Sequence, residues 1–246
     1  MKTNLWIHGI SGRMGVELSQ LAQQMPHVRL VGGGSQASQA DGLSQADDII
    51  DFSTPSGNEL LLRGIQAQSL TSKRVLIGTT GLSPMLVDEW STTAKLKGLA
   101  VLFAPNTSVG VQLMHRALSA VTGKATRAGF EIELQESHHK NKKDAPSGTA
   151  KALLDTICSQ GSTLYPCLRG DAARLSPDEV GVQMVRGGGI FGEHTVRLIG
   201  EHEELVIQHR AFSRALFAQG AMQLLSWLQR QPLGSAYQMS EVTLES

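Results

Sequence analysis

The stretch Glu136–Lys151 reads E-S-H-H-K-N-K-K-D-A-P-S-G-T-A-K, and the rest of the chain is organised on either side of it. Before it, Phe130, Ile132 and Leu134 alternate with Glu131, Glu133 and Gln135, the period of a half-buried strand. After it, Ala150, Leu153, Leu154, Ile157 and Cys158 recur at helical spacing as far as Gly161. The stretch is therefore a strand-to-helix loop, in which Asp144 or Ser147 suits the N-cap and Pro146 a first helical turn. The backbone N–H groups of Gly148 and Thr149 then open a helix N-terminus, a place that attracts anions. Lys142 and Lys143 add fixed positive charge beside it, and His138 and His139 add groups that titrate near neutrality. Taken singly, such residues are more often solvated or structural. As a constellation they point to a carboxylate- or phosphate-bearing substrate with an acid catalyst next to it.

Toward the N-terminus the pattern is one of short apolar strands separated by helices. Residues 4–9 read as a buried strand and are followed by G-I-S-G-R-M-G, with Gly9, Gly12 and Gly15 three apart. A helix then carries Met14, Leu18, Leu21, Ala22 and Met25 on one face and stops at Pro26, and residues 28–34 form a second strand. Strand, glycine-rich turn and helix form the context in which backbone approaches a pyrophosphate, which makes Gly9, Ile10, Ser11, Gly12, Arg13 and Met14 candidate cofactor residues. The spacing is not G-x-G-x-x-G, so an ordinary strand–helix turn stands beside that reading. Further strands fall at 47–52, 74–80 and 99–105, with a helix between the first two and another from Ser83-Pro84 to about Lys97. This alternation predicts a parallel α/β sheet, with ligands at the carboxyl ends of its strands. After Asn106 a helix containing Val109, Leu113, Ala117, Leu118 and Val121 leads into a second domain. Residues 182–212 read there as two or three strands without helices between them, an open and largely antiparallel sheet. A last helix carries Leu216, Phe217, Gly220, Ala221, Leu224, Leu225 and Leu228 on one face.

Composition narrows the function classes. The 246 residues are enough for one large or two small domains. Lys plus Arg and Asp plus Glu are 22 each, so no global field favours nucleic acid or an anionic membrane. No apolar run is long enough to span a bilayer, and the N-terminus enters a strand pattern without a signal-peptide core. Cys158 and Cys167 lack metal or redox spacing, as reduced thiols of a cytoplasmic protein would. The histidines outside the loop are scattered, so no metal site is expected.

The segment E-S-H-H-K-N-K-K-D-A-P-S-G-T-A resembles the E-x-H-H-x-x-K-x-D-A-P-S-G-T-A signature of the dihydrodipicolinate reductase family, and segments from Gly9 to Met239 resemble that family in turn. The resemblance implies an α/β fold with an N-terminal Rossmann-like parallel-sheet domain, 1–107, completed by the C-terminal helix segment 213–246. It also implies an α+β substrate-binding and oligomerisation domain, 108–212, with an open mixed sheet, and assembly into a homotetramer. The implied reaction is NAD(P)H-dependent reduction of 4-hydroxy-tetrahydrodipicolinate or dihydrodipicolinate, a cyclic dicarboxylate, to tetrahydrodipicolinate in the diaminopimelate route of lysine biosynthesis. By motif position, His138 and Lys142 match the proton donors. His139, Lys142, Gly148 and Thr149 match the groups that hold the carboxylates, while Lys140, Asn141 and Lys143 lie outside the motif and Asp144 caps or orients the loop. Gly78, Thr79, Thr80, Ala104, Pro105, Asn106 and Thr107 match segments that line the cofactor site, although each also reads as a turn of an α/β sheet.

One departure bears on the cofactor. The end of the second strand commonly carries an acid for the ribose of NAD or an arginine for the 2′-phosphate of NADP. Here Ser35 and Gln36 stand there, and the nearest acid is Asp41, so NADH and NADPH are both expected to serve. Two other readings remain at this level: a different two-domain NAD(P) oxidoreductase, and a nucleotide-sensing homologue that has lost activity. The first does not account for H-H-x-x-K-x-D-A-P-S-G-T, and the intact His138, His139, Lys142 and Thr149 speak against the second.

Overall fold

The computed structural model describes residues 2–34, 42–161, 164–168 and 176–243. The backbone divides into two units, Met1–Ser108 with Arg214–Ser246, and Val109–Ser213. In the first unit β1 (Thr3–His8), β2 (Val28–Gly34), β3 (Asp48–Asp51), β4 (Arg74–Ile77), β5 (Ala100–Phe103) and β11 (Ser235–Gln238) form a single sheet in the order 11-5-4-3-1-2. Every pairing in it is parallel. Helices cover both faces, which is why its strands are continuously apolar rather than alternating. Leu5, Ile7, Ile50, Leu76 and Leu102 pack on α1 (Arg13–Gln24) and α6 (Ala215–Leu228). Trp6, Ile49, Val75, Ile77 and Val101 turn the other way, onto α2 (Pro55–Ala67) and α3 (Pro84–Lys97). The starts of α2 and α3 are written in sequence. Thr54 and Ser83 cap them by accepting from the Gly57 and Leu86 N–H groups, and Pro55 and Pro84 occupy the first turn.

The second unit contains α4 (Val109–Arg127), β6 (Glu131–His138), α5 (Gly148–Cys158), β7 (Tyr165–Leu168), β8 (Glu179–Arg186), β9 (Glu193–Ile199) and β10 (Glu204–Arg210). Its sheet runs 10-9-6-8-7. The expectation of a largely antiparallel sheet is corrected here: β9 pairs antiparallel with β6 and β10, but β6–β8 and β7–β8 are parallel. The crossover through α5 returns the chain along β7 in the direction it left β6, and β8 runs the same way beside both. Two strands go unread in the sequence. β7 is four residues containing Pro166, and β11 is a short stretch of the polar tail; neither carries a period of its own. Met114 and Leu118 of α4 and Ala150, Leu153, Leu154 and Ile157 of α5 pack on Ile132, Leu134, Val180, Val182, Val196 and Leu198. Among the described residues no helix covers the opposite face of this sheet.

Candidate active site

The alternation of β6 does not stop where its apolar residues do. Ile132, Leu134, Glu136 and His138 share one buried face, so the last two turns of the pattern place a carboxylate and an imidazole where a core residue would sit. Register supplies their neighbours. Glu136 stands opposite His194 of β9, and His138 stands opposite Arg186 of β8. The Glu136 side chain is 0% exposed. Its Oε1 accepts from Arg186 Nη2 at 2.6 Å and from the Ser147 N–H at 3.1 Å, and its Oε2 lies 3.6 Å from both His138 Nδ1 and His194 Nε2. Burial alone would raise the Glu136 carboxyl. The contacts from His194, Ser147 and Arg186 together outweigh it and hold the group ionised, well below the usual carboxylate range. For His138 burial wins instead. It pushes the imidazole down to about 4 against the pull of Glu136, and His194, Lys142 and Arg186 push the same way as burial.

Ser147 caps α5 through its hydroxyl, which accepts the Ala150 N–H at 3.1 Å. Of the two cap candidates Ser147 is the one used. Pro146 precedes the cap rather than occupying the first turn, joined to Ala145 by a cis peptide. Lys142 Nζ lies 3.0 Å from the Asp144 carboxylate, which also accepts the N–H of Gly148, the first residue of α5. The slight burial of Asp144 would raise its carboxyl, but these contacts hold it below its ordinary value. Asp144 thus engages two of the donors that the sequence assigns to a substrate carboxylate. His139 and Thr149 are half-buried, whereas Lys140, Asn141 and Lys143 are exposed. His138, His139, Lys142, Gly148 and Thr149 are thereby placed along one strand end, one loop and one helix start of a single unit.

Glu136, His138 and His194 also carry ligand atoms within 4.8 Å of one another. Arg186 already supplies the counter-charge to that carboxylate at 2.6 Å, so the cluster reads as an ion network rather than a cation site. It does correct the view of the histidines as scattered, because the His194 ring is 5.1 Å from that of His138.

The first unit offers a different site. The chain leaves β1 through Gly9 and enters α1 at Gly12, beside the point where the strand order reverses between β2 and β3. Gly9 has φ +80°, and a Cβ on Gly15 would lie 2.3 Å from the Gly9 carbonyl, so this turn is closed against side chains at both positions. Gly12 caps α1 without a side chain and the first turn carries no acid, which leaves the helix end open to an anion. Ser11, Gly12 and Arg13 are exposed around it, while Ile10 and Met14 pack on the core. This donor set fits a nucleotide pyrophosphate. The neighbouring strand ends are held by a fully buried Asp51. It accepts from Asn58 Nδ2 and Thr79 Oγ1, both at 2.7 Å, and from Ser53 Oγ at 2.6 Å, and Ser53 N–H donates in turn to Thr79 Oγ1 at 2.9 Å. Thr107 donates its hydroxyl to the Phe217 carbonyl at 2.7 Å. Thr79 and Thr107 therefore spend their hydroxyls inside the unit, whereas Thr80 and Pro105 are exposed and Asn106 half-buried beside them. Gly78 and Ala104 donate backbone N–H groups to neighbouring strands. Ser35, with Gln36 and Asp41, lies outside the described residues.

Both halves of the chain match models of one family. Residues 3–107 match the model described as dihydrodipicolinate reductase, N-terminus, and residues 110–243 match dihydrodipicolinate reductase, C-terminus. The chain belongs to the dihydrodipicolinate reductase family. Among its relatives, the 4-hydroxy-tetrahydrodipicolinate reductase of Bordetella parapertussis is 38% identical over 209 residues, which is 83% of this chain and 75% of that one. The protein of the same name from Chlamydia muridarum is 34% identical and covers 100% of this chain and 97% of its own. The dipicolinate-bound dihydrodipicolinate reductase from Paenisporosarcina sp. TG-14 shares the fold, with a TM-score of 0.76 at 20% identity over 99% of this chain and all of that one. A DAP dehydrogenase from C. glutamicum shares it more distantly, with a TM-score of 0.56 at 12% identity over 98% of this chain and 94% of its own.

In this member of the dihydrodipicolinate reductase family, three site residues occupy motif positions to which the sequence gives no role. Glu136 opens the E-x-H-H signature, and the period-two pattern of β6, continued past its apolar members, places it in the core. Arg186 and His194 begin and end the segment R-G-G-G-I-F-G-E-H, which resembles a family segment and whose glycines read in sequence as a hairpin turn. Their role follows from strand register, which the sequence does not state.

Proposed function

We propose that the protein is a 4-hydroxy-tetrahydrodipicolinate reductase of lysine biosynthesis, with the substrate held by the second unit and NADH or NADPH by the first. The observation that carries this reading is the H-H-x-x-K-x-D-A-P-S-G-T loop built around a buried acid–imidazole pair, in a chain whose two halves both match the family. The cradle at Gly9, Gly12 and Gly15 would hold the cofactor's pyrophosphate, and the bound nicotinamide supplies a hydride. Once the 4-hydroxyl of the precursor has left as water, hydride and proton add across one double bond of the unsaturated ring, so the cofactor is oxidised as the ring is reduced. The proton comes from His138, with Lys142 as second donor. His139 and Lys142 take one substrate carboxylate, and the Gly148 N–H with Thr149 takes the other.

The surroundings of His138 set the order of events. Held down to about 4, its imidazole is neutral near pH 7. A dicarboxylate seated beside Lys142 offsets the positive charges that depress it and gives the imidazolium a counter-ion, so the catalytic proton is taken up with the substrate. Asp144 gives up Lys142 and the Gly148 N–H to the incoming carboxylate in the same exchange. The exposed face of the second sheet suits packing against further copies of the chain in a homotetramer.

A turnover assay with the dihydrodipicolinate precursor tests the reading. Reduction is expected with both NADH and NADPH. Loss of one good charged contact at Ser35-Gln36 is worth about 1.5–3 kcal/mol, or roughly ten- to a hundredfold, so neither cofactor should be preferred beyond that. Absence of turnover with either would leave the nucleotide-sensing reading in its place.

A further inference from the structure

We propose that Glu136 is the positioning residue of the acid catalyst: it holds the His138 ring with Nδ1–H toward its Oε2 and so presents Nε2 to the substrate. The inference rests on the reading of His138 as proton donor. Glu136 is not a candidate donor itself, since it is fully buried and its oxygens face Arg186, Ser147, His138 and His194.

Three observations carry the assignment. The carboxylate is clamped from two other elements, by the Arg186 guanidinium of β8 at 2.6 Å and by the Ser147 N–H at the start of α5 at 3.1 Å. It therefore gives the ring a fixed reference rather than following it. His138 Nδ1 is buried with no hydrogen-bond partner among the described residues, and the carboxylate oxygen 3.6 Å away is the acceptor toward which a proton there would point. At the other end of the ring, a Cβ on Gly192 would stand 3.3 Å from Nε2. The chain thus carries no side chain at the position that would crowd this nitrogen. One nitrogen faces a fixed anion and the other a cleared approach, and a proton on Nδ1 satisfies both. The charged and titratable groups facing the ring are Glu136, His194, Lys142 and Arg186, and of these only Glu136 favours the imidazolium. Glu136 thus serves the donor twice, by setting its tautomer and by stabilising its charged form.

The test combines imidazole nitrogen shifts in the NMR spectrum of the full chain with steady-state kinetics. Near pH 7 the wild-type His138 ring should carry its proton on Nδ1, with the resonance assigned by its loss in His138→Ala. A ring protonated on Nε2 would overturn the proposal without any change at Glu136. In Glu136→Gln the tautomer should shift toward Nε2–H. Turnover should fall about tenfold or more, a share of the roughly 10²–10⁴-fold that a positioned acid contributes, while KM for substrate and cofactor changes little. The charge-retaining Glu136→Asp should recover part of both the tautomer and the turnover. A folded Glu136→Gln protein with an unchanged tautomer overturns the assignment whatever its turnover, since a loss of rate alone would mark a merely structural carboxylate. If Glu136→Gln does not fold, the wild-type tautomer decides by itself. Normal turnover in His138→Ala would instead remove the donor role on which the inference stands, a result distinct from failure at Glu136.

Discussion

His138 and Lys142 differ in what their loss should do. His138→Ala is expected to lower kcat by about 10²–10⁴-fold with cofactor affinity intact, because it removes a proton donor and no cofactor contact. Lys142→Ala should lower kcat and also raise KM, since its ammonium group serves the substrate carboxylate as well. The two losses together should be less than additive if one proton transfer is shared. Lys140→Ala and Lys143→Ala are the controls, as exposed lysines outside the motif. Steady-state kinetics with cofactor affinity measured by fluorescence decides. A large loss at Lys143 with none at Lys142 would place the motif one residue out of register. Elsewhere a buried carboxyl adds its own pH dependence to stability. Asp48 is 1% exposed, accepts from Gln229 Nε2 at 2.6 Å through Oδ2, and is pushed up to about 6 by burial, against the pull of Gln229 and Arg74. The folded state therefore binds this proton more tightly than the unfolded state does, and the Asp48 contribution to stability falls as pH rises from about 4 through 6, while that of His138, held down to about 4, rises over the same window. The Asp48 loss is roughly 2–3 kcal/mol. Asp48→Asn, still able to accept from Gln229, should remove the Asp48 contribution and raise Tm at pH 7.5, read as the Tm difference from wild type growing as pH rises from about 4 through 6.

At the scale of elements, α5 links stability to the site. Its cap hydroxyl on Ser147 belongs to the residue whose N–H holds Glu136, and its first residues are Gly148 and Thr149. Ser147→Ala keeps that N–H and deletes the cap, which is worth about 1 kcal/mol. A Tm lower by about 2–4 °C is expected, together with a raised KM, because a frayed first turn no longer aims its N–H groups. An unchanged KM beside a lowered Tm would separate the α5 terminus from carboxylate binding. Strand β6 shows the converse, an element whose own pattern carries the site. Its two faces stay distinct to the last residue, so the core stripe Ile132–Leu134 passes directly into Glu136 and His138.

For the whole molecule, the five-stranded sheet sets the expectation. α4 and α5 cover one face, and the other presents Val206, Gln183 and Val185 without a covering helix among the described residues. An uncovered sheet face of this kind packs well against its symmetric copy. Light scattering on the eluting protein should give the mass of four chains rather than one, and Val206→Lys, opposite Arg197 in the register, should shift that mass downward. A monomer in the wild type would end the proposed tetramer.

The sequence by itself determined the repeating architecture of the first unit, the glycine turn at Gly9–Gly15 and the strand–loop–helix frame around His138 and Lys142. Each of these is local: a period of two or 3.6, a cap, a proline in a first turn, or a turn that tolerates only glycine. Tertiary structure decided what lies at longer range. Arg186 reaches Glu136 across fifty residues of sequence because β8 runs parallel to β6, and His194 arrives because β9 runs antiparallel on the other side. Register between strands is a property of the assembled sheet, and no single strand encodes its partner. The same holds for Thr79, Ser53 and Asn58, which meet only on the buried Asp51. Local periodicity places a side chain on a face of its element. Which charge it meets there, and hence whether His138 is neutral or charged, follows from the packing of elements that are distant in the chain.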